Sequence, residues 1–168
     1  MKLLIVRHAI AEESASGGDA ARRLTKEGRA KMAKGARALA DLVPELALVL
    51  SSPLVRARET AEIVVAAFPD RSSKRLPLAE VEALGPGGRA SDVVLALVAQ
   101  KRLAAIAVVG HEPNLSRLEG YLLTGQERSL AELKKGGAAL VEIDGVVAPG
   151  AGSLLWHLTP AQLRALAP

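Results

Sequence analysis

Three short apolar runs constrain the fold of this chain more than any other feature of its sequence. They are KLLIV at 2–6, LALVL at 46–50 and AAIAVVG at 104–110, and none of them alternates between apolar and polar residues. A strand of this kind is buried on both faces, as in a parallel sheet that is covered by helices. We therefore expect three buried strands, each followed by polar residues at its carboxyl end.

Helical signals fill the segments between these runs. Apolar residues recur every three or four positions from Lys26 to Val43, and Thr25 is the expected N-cap. Ser52 followed by Pro53 indicates an N-cap residue with proline at the first helical position, so we expect a second helix from Pro53 to about Phe68.

The second half of the chain continues this alternation. Its expected elements are a short strand at 75–78 within a mixed 70–88 segment, a helix from Ser91 as N-cap through Ala99, a helix from Pro113 to Leu123, strands AALVEI at 138–143 and SLLWHL at 153–158, and a short helix after Pro160. The alternation predicts one domain over 1–168, a three-layer α/β/α sandwich with a mostly parallel central sheet. Ligands bind such sheets beyond the carboxyl ends of the strands, where His8 and His111 fall.

Composition excludes several classes of function. The charge balance of 22 basic against 18 acidic residues contains no long basic run, and aromatic residues are only 2% of the chain, so nucleic acid is not an expected partner. The absence of cysteine removes disulfides, thiolate metal sites and cysteine nucleophiles. The apolar run at the N-terminus is too short for a signal peptide or a membrane span, so we expect a cytoplasmic protein without a membrane partner.

Arg7 and His8, directly after the first strand, form the most informative pair. A neutral imidazole can attack phosphorus while a neighbouring guanidinium binds phosphate oxygens. The alternative for an isolated pair is a strand-end histidine bonded to backbone, with the arginine in solvent. Arg56 strengthens the first interpretation, because it is expected in the first turn of a helix, where backbone N–H groups already favour an anion.

The other polar candidates also have alternative interpretations. His111 can donate a hydrogen bond to a phosphoryl oxygen, or it can simply close a strand before the turn at Glu112. Arg58 is expected to be solvated or paired with Glu62. His157 is predicted to be exposed, without a role, and no histidine pair has the spacing of a metal site, so no metal is expected.

The order of three segments, LIVRHA, SSPLVRARETAEIV and VVGHEPNLS, resembles the histidine phosphatase superfamily, which has the phosphoglycerate mutase-like fold. The resemblance runs from Met1 to about Pro160. The stretches DAARRLTKEG, HEPNLS, LKKGGAAL and LLWHLTP resemble its small branch, the SixA-type phosphohistidine phosphatases.

This resemblance implies that His8 is the phosphorylated nucleophile and that Arg7, Arg56 and His111 complete the phosphate pocket. Arg22 corresponds to a further arginine near the pocket in the small branch. Arg23 stands where proline is commoner, and Ala9 replaces the usual glycine after the nucleophile, which weakens the case for a mutase more than that for a phosphatase.

The resulting hypothesis is a cofactor-free phosphatase that removes a phosphoryl group from phosphohistidine on a signalling protein. The alternatives are a broad phosphomonoesterase or mutase for small metabolites, and a phosphate-binding module without turnover. The partner is a phosphorylated protein or a small phosphorylated substrate, and a monomer is expected. Glu80 and Glu82 are the candidate proton donors, neither in a convincing motif, and an imidazole leaving group would need little help from such a donor.

Overall fold

The computed structural model describes residues 1–69, 75–100 and 102–168. Its strands and helices, in chain order, are β1 (Lys2–Arg7), α1 (Lys26–Leu42), β2 (Leu46–Ser51), α2 (Val55–Ala67), β3 (Leu78–Glu80), α3 (Ala90–Val98), β4 (Ala105–Gly110), α4 (Asn114–Thr124), β5 (Ala138–Ile143), β6 (Gly152–Leu158) and α5 (Pro160–Leu166). Short 3-10 turns lie at Asp19–Ala21 and Glu82–Leu84. Among these described residues, no helix is long and apolar enough to cross a bilayer.

The six strands form one sheet in the order β3-β2-β4-β1-β5-β6. Strands β3, β2, β4 and β1 run parallel to each other. Strand β5 pairs antiparallel with β1, and β6 pairs antiparallel with β5 at the edge of the sheet. The expected α/β fold with a mostly parallel sheet is confirmed. Because β1 and β4 are parallel neighbours, the ends of these two strands, Arg7 and Gly110, lie opposite each other.

The apolar run of β1 is continuous because both of its faces are covered. Leu4 and Val6 pack in the core under α1, α2 and α5, whereas Leu3 and Ile5 pack in the core under α3 and α4. All four side chains are fully buried. Successive residues of a strand point to opposite faces, so a strand at the centre of three layers has no position for a polar side chain.

Two predicted helix starts are wrong by two residues. Helix α2 begins at Val55 with Leu54 at its N-cap, so Pro53 does not occupy the first helical position, and the Ser52 hydroxyl accepts the Leu54 N–H at 3.3 Å instead. Helix α3 has Arg89 at its N-cap, which places Ser91 inside the helix. The N-cap at Thr25 is confirmed, because its hydroxyl accepts the Gly28 N–H at 2.9 Å.

Three further expectations need correction. The short strand lies at Leu78–Glu80 rather than at 75–78, and 70–74 of the mixed segment lie outside the described residues. Arg58 pairs with Glu80 at 3.4 Å and not with Glu62. His157 is not exposed: α4 covers that part of β6, and the His157 Nδ1 lies 3.2 Å from the buried Glu119 carboxylate.

Candidate active site

The two histidines that follow β1 and β4 meet at the carboxyl edge of the sheet. The ring centroids of His8 and His111 are 5.0 Å apart, and their planes are tilted by 51°. This proximity follows from the register, since the strands that carry them are parallel neighbours.

His8 is buried and held by backbone. Its Nδ1 lies 2.8 Å from the carbonyl oxygen of Ala9. Burial lowers the pKa of His8 to about 3, so the ring is neutral near pH 7. A neutral ring next to a carbonyl carries its proton on Nδ1, which donates to Ala9 and leaves a lone pair on Nε2.

The strand end that carries His8 is also tied to α2. The Ala9 N–H donates to the Thr60 hydroxyl at 3.1 Å, and that hydroxyl donates to the Arg56 carbonyl at 2.7 Å. This chain of hydrogen bonds fixes the backbone of His8 relative to the first turn of α2.

Arg56, the second residue of α2, reaches from that turn into the same region. Its Nη1 donates to the Asp19 carbonyl at 2.7 Å and its Nη2 to the Asp19 carboxylate at 2.9 Å. The Nε–H of Arg56 is buried and has no partner among the described residues.

Arg7, the last residue of β1, lines the same cavity as His8 and Arg56. Its Nη1 donates to the Leu133 carbonyl at 2.6 Å and to the exposed Glu132 carboxylate at 3.2 Å. The Arg7 Nε–H, like that of Arg56, is buried without a partner in the described part of the chain. A buried donor without an acceptor costs about 1–3 kcal/mol, so two such donors beside one imidazole indicate a site for an anion.

His111 is the second buried ring of the site. Its Nε2 lies 2.9 Å from the Ser52 hydroxyl. Burial, and next the charge of Arg56, lower the pKa of His111 to about 4, so this ring is neutral too. Its contribution to an anion site near pH 7 is therefore a hydrogen bond and not a charge.

Arg22 lies at the rim. Its Nε donates to the Glu12 carbonyl at 2.5 Å and its Nη1 to the Asp19 carboxylate at 2.7 Å. Asp19 therefore joins Arg22 and Arg56, and these two partners, Arg22 first, lower the pKa of the Asp19 carboxyl.

All five sequence-predicted site residues line one open cavity of about 280 Å³. Its lining residues are Arg7, His8, Asp19, Arg22, Arg56, Pro86, His111, Glu112 and Lys135. Neither of the two candidate proton donors, Glu80 and Glu82, belongs to that lining, and the Glu80 carboxylate pairs with Arg58 instead. In the described residues, no group of three or more histidine or carboxylate side chains could hold a metal ion.

Sequence reasoning missed four residues of this region. Asp19 accepts hydrogen bonds from Arg22 and Arg56, and the Ser52 hydroxyl contacts His111. Glu112 accepts hydrogen bonds on both carboxylate oxygens, from the Ser116 hydroxyl at 2.6 Å and from the Leu133 N–H at 3.1 Å, and Lys135 lines the cavity. The only available signals were the spacing of Asp19 three residues before Arg22 and the position of Glu112 directly after His111.

Comparison with known proteins agrees with this geometry. Residues 3–85 match the model of the histidine phosphatase superfamily, branch 1. An uncharacterized protein of Picosynechococcus sp. is 33% identical over 141 residues, which is 82% of each chain. The chain belongs to the histidine phosphatase superfamily.

Similarity to solved structures indicates which branch of the superfamily the chain belongs to. The protein histidine phosphatase SixA, solved in complex with tungstate, is 28% identical with a TM-score of 0.83, over 97% of this chain and 99% of that one. The chain is thus of the SixA type. The α-ribazole phosphatase of Shigella flexneri shares the fold, at 20% identity and a TM-score of 0.74 over 95% of this chain and 97% of that one. The family and the SixA structure together support phosphatase activity.

Proposed function

We propose that this chain is a phosphohistidine phosphatase in which His8 carries the phosphoryl group between two transfer steps. The observation that carries the proposal is the setting of His8: its neutral, oriented imidazole shares a cavity with two guanidinium groups whose buried Nε–H donors have no acceptor in the described part of the chain. The oxygens of a phosphoryl group would supply those acceptors.

In the bound state, phosphoryl oxygens accept from the Nε–H groups of Arg7 and Arg56, and Arg22 adds charge at the rim. These groups hold phosphorus beside His8 and stabilise the charge that builds on the equatorial oxygens. No metal ion is needed in this scheme, because the arginines supply the positive charge.

The first transfer forms a bond between phosphorus and Nε2 of His8 while the bond to the leaving nitrogen breaks. That nitrogen departs with its electron pair as part of a neutral imidazole when the other ring nitrogen of the substrate histidine carries a proton. His8 keeps its Nδ1–H throughout, and the hydrogen bond to the Ala9 carbonyl stabilises the positive charge that the phosphorylated ring acquires.

The second transfer is hydrolysis. A water oxygen bonds to phosphorus, the bond to Nε2 breaks, and its electrons return to His8 as the ring lone pair. The water proton leaves to solvent with inorganic phosphate, and the neutral ring is ready for another cycle.

The carboxylates that line the cavity favour phosphohistidine over a phosphate ester as the substrate. The Asp19 pKa is lowered by its arginines, and Glu112 accepts hydrogen bonds on both oxygens, so neither is a ready proton donor. An alkoxide leaving group needs such a donor, whereas an imidazole needs much less help.

The test is transfer of label. Wild type, His8→Ala and the control His157→Ala are mixed with a protein that carries labelled phosphohistidine, and the reaction is quenched in alkali. We expect acid-labile label on wild type and on His157→Ala, and none on His8→Ala. Label on His8→Ala, with its fold verified by circular dichroism, would place the phosphoryl group elsewhere.

The rival activities are separated by rates. The proposal expects kcat/KM for the phosphohistidine protein to exceed that for phosphoglycerates and sugar phosphates by at least about 100-fold, and to persist in EDTA. Higher rates on the small esters would favour a metabolite phosphatase. A protein that binds p-nitrophenyl phosphate and releases no nitrophenol would be a binding module.

A further inference from the structure

A second, smaller cavity of about 130 Å³ adjoins the phosphate pocket on the side of Ala9. Three cationic side chains from separate parts of the chain line it: Lys31 of α1, Lys135 of the turn before β5, and Arg164 of α5. Lys135 lines both cavities, so the two border each other at that residue.

The positive charge of the small cavity is only partly compensated by ion pairs within the described residues. None of its lining residues is acidic. Lys135 and Arg164 form no ion pair with any residue in 1–69, 75–100 or 102–168, and Lys31 pairs only with the exposed Glu27 one turn earlier on the same helix. An exposed pair at this spacing contributes about 0.3–0.5 kcal/mol, which leaves Lys31 free to change partners.

The backbone that carries these cations is fixed. The Gly136 N–H donates to the carbonyls of both Arg7 and His8, at 3.2 and 3.1 Å, which holds the turn with Lys135 against the end of β1. Helix α5 is anchored by the fully buried Leu163, in the same core as Met32 of α1. The cavity is therefore a built feature beside the phosphate pocket.

We infer that this cavity binds a second anionic group of the substrate, next to the phosphoryl group that His8 accepts. The inference rests on the proposed function, because it takes the larger pocket as the phosphoryl site. An acidic side chain that flanks phosphohistidine in a protein and the carboxylate of a small phosphorylated metabolite share this chemistry. In either case the cationic side chains in both adjoining cavities select a substrate with two anionic groups at a short separation.

The experiment uses matched substrates and matched variants. One pair of phosphohistidine peptides differs only in glutamate or glutamine beside the modified residue, and a second pair is 3-phosphoglycerate and glycerol 3-phosphate. The variant Lys31→Gln with Arg164→Gln removes two cavity cations and retains Lys135, which also lines the phosphate pocket. The control Lys34→Gln with Arg102→Gln removes the same charge from exposed positions outside both cavities.

The measured quantity is the ratio of KM values within each substrate pair. We expect wild type and control to favour the acidic member of at least one pair by about 10-fold, and the cavity variant to reduce that ratio to nearly 1. The pair that shows the effect identifies the source of the anion. A wild-type ratio near 1 in both pairs, or a ratio that the cavity variant leaves intact, would overturn the inference.

Binding measured by calorimetry separates this inference from the proposed function. If wild type turns over neither pair, the proposed function fails, and the affinity ratios within both pairs, measured with the peptides and with the small molecules, still test the cavity. A preference for the acidic member of either pair that disappears in the cavity variant supports the inference without turnover, whereas equal affinities in both pairs refute it.

Discussion

Arg56 donates to Asp19 twice, to its carbonyl oxygen at 2.7 Å and to its carboxylate at 2.9 Å. The same carboxylate accepts from Arg22 at 2.7 Å, and the hydrogen bonds from both arginines lower its pKa. Asp19 is thus an anion inside the pocket that we propose for phosphate. Its negative charge offsets part of the positive charge that two of the three arginines would offer to a phosphoryl group.

Asp19→Asn should bind inorganic phosphate more tightly. The amide keeps the shape of the side chain and removes its negative charge, so the inhibition constant of phosphate in p-nitrophenyl phosphate assays should fall by about 5-fold. Asp144→Asn, an exposed change in the turn after β5, is the control and should leave that constant unaltered. Weaker phosphate binding in Asp19→Asn would mean that Asp19 mainly organises Arg56.

The sequence predicted strands β1, β2 and β4 because each of them is a continuous apolar run. It also predicted that His8 and His111 lie at the carboxyl ends of such strands, because each histidine directly follows a run. The apolar runs of β1, β2 and β4 lie within one residue of the observed strands, and parallel neighbours bring His8 and His111 together. The contacts of the arginines have no such pattern. Arg56 and Asp19 are 37 residues apart in the sequence, and Arg7 and Leu133 are 126 apart. In each pair the partner of the arginine lies in a connecting segment outside the main helices and strands.

The error at His157 has a tertiary cause as well. Alternation within a strand predicts one buried and one solvated face, which assumes that nothing covers the second face. Here α4 packs on β6 and presents the buried Glu119 to the imidazole. Only the position of α4 in three dimensions could have corrected that prediction.

The imidazoles of His8 and His111 should stay neutral well below the usual range for histidine. Burial lowers their pKa values to about 3 and about 4, so ¹⁵N chemical shifts of both rings should keep neutral values down to about pH 5. The His8 shifts should also report a proton on Nδ1, as the 2.8 Å contact with the Ala9 carbonyl requires. A titration midpoint near 6.5, or a proton on Nε2, would contradict the proposed nucleophile.

The same shift makes stability depend on pH. The pKa of His8 is about 3 in the folded chain and about 6.5 when unfolded, so acid favours the unfolded chain as pH falls through that interval. Between pH 7 and pH 5 this one group should lower the free energy of unfolding by about 2 kcal/mol. Urea titrations at both pH values measure the change, and His8→Gln should reduce it by that amount. An equal change in wild type and variant would assign the acid sensitivity to other groups.

Glu112 is expected to act through Arg7. One of its oxygens accepts the Leu133 N–H at 3.1 Å, and the carbonyl of Leu133 accepts from Arg7 Nη1 at 2.6 Å. Glu112→Ala leaves the Leu133 N–H without this acceptor, so kcat/KM should fall by about 10-fold, the equivalent of one hydrogen bond. Glu112→Gln retains an oxygen at that position and should recover most of the activity. Equal loss in both variants would show that the charge of Glu112 matters, and not its hydrogen bond to the loop.

Two glycines of α1 should respond in opposite ways to alanine. A Cβ at Gly28 would collide with the carbonyl oxygen of Ile10, which also accepts the Thr25 N–H at 3.0 Å and so holds the start of α1 against the segment after His8. A Cβ at Gly35 would meet only the Leu163 side chain, at an ordinary 3.6 Å. Gly28→Ala should therefore lose about 1–3 kcal/mol of unfolding free energy, because the helix start must move. Gly35→Ala should gain about 0.5–1 kcal/mol from its better helix propensity.

Urea unfolding of the two variants beside wild type measures both effects. Since Ile10 lies two residues beyond His8, the proposed nucleophile, the Gly28→Ala variant should also lose turnover under conditions where it is fully folded, whereas Gly35→Ala should not. If both alanines change stability in the same direction by a similar amount, the close approach of α1 to Ile10 does not constrain the chain. If Gly28→Ala is destabilised but fully active, that approach supports the fold without positioning His8.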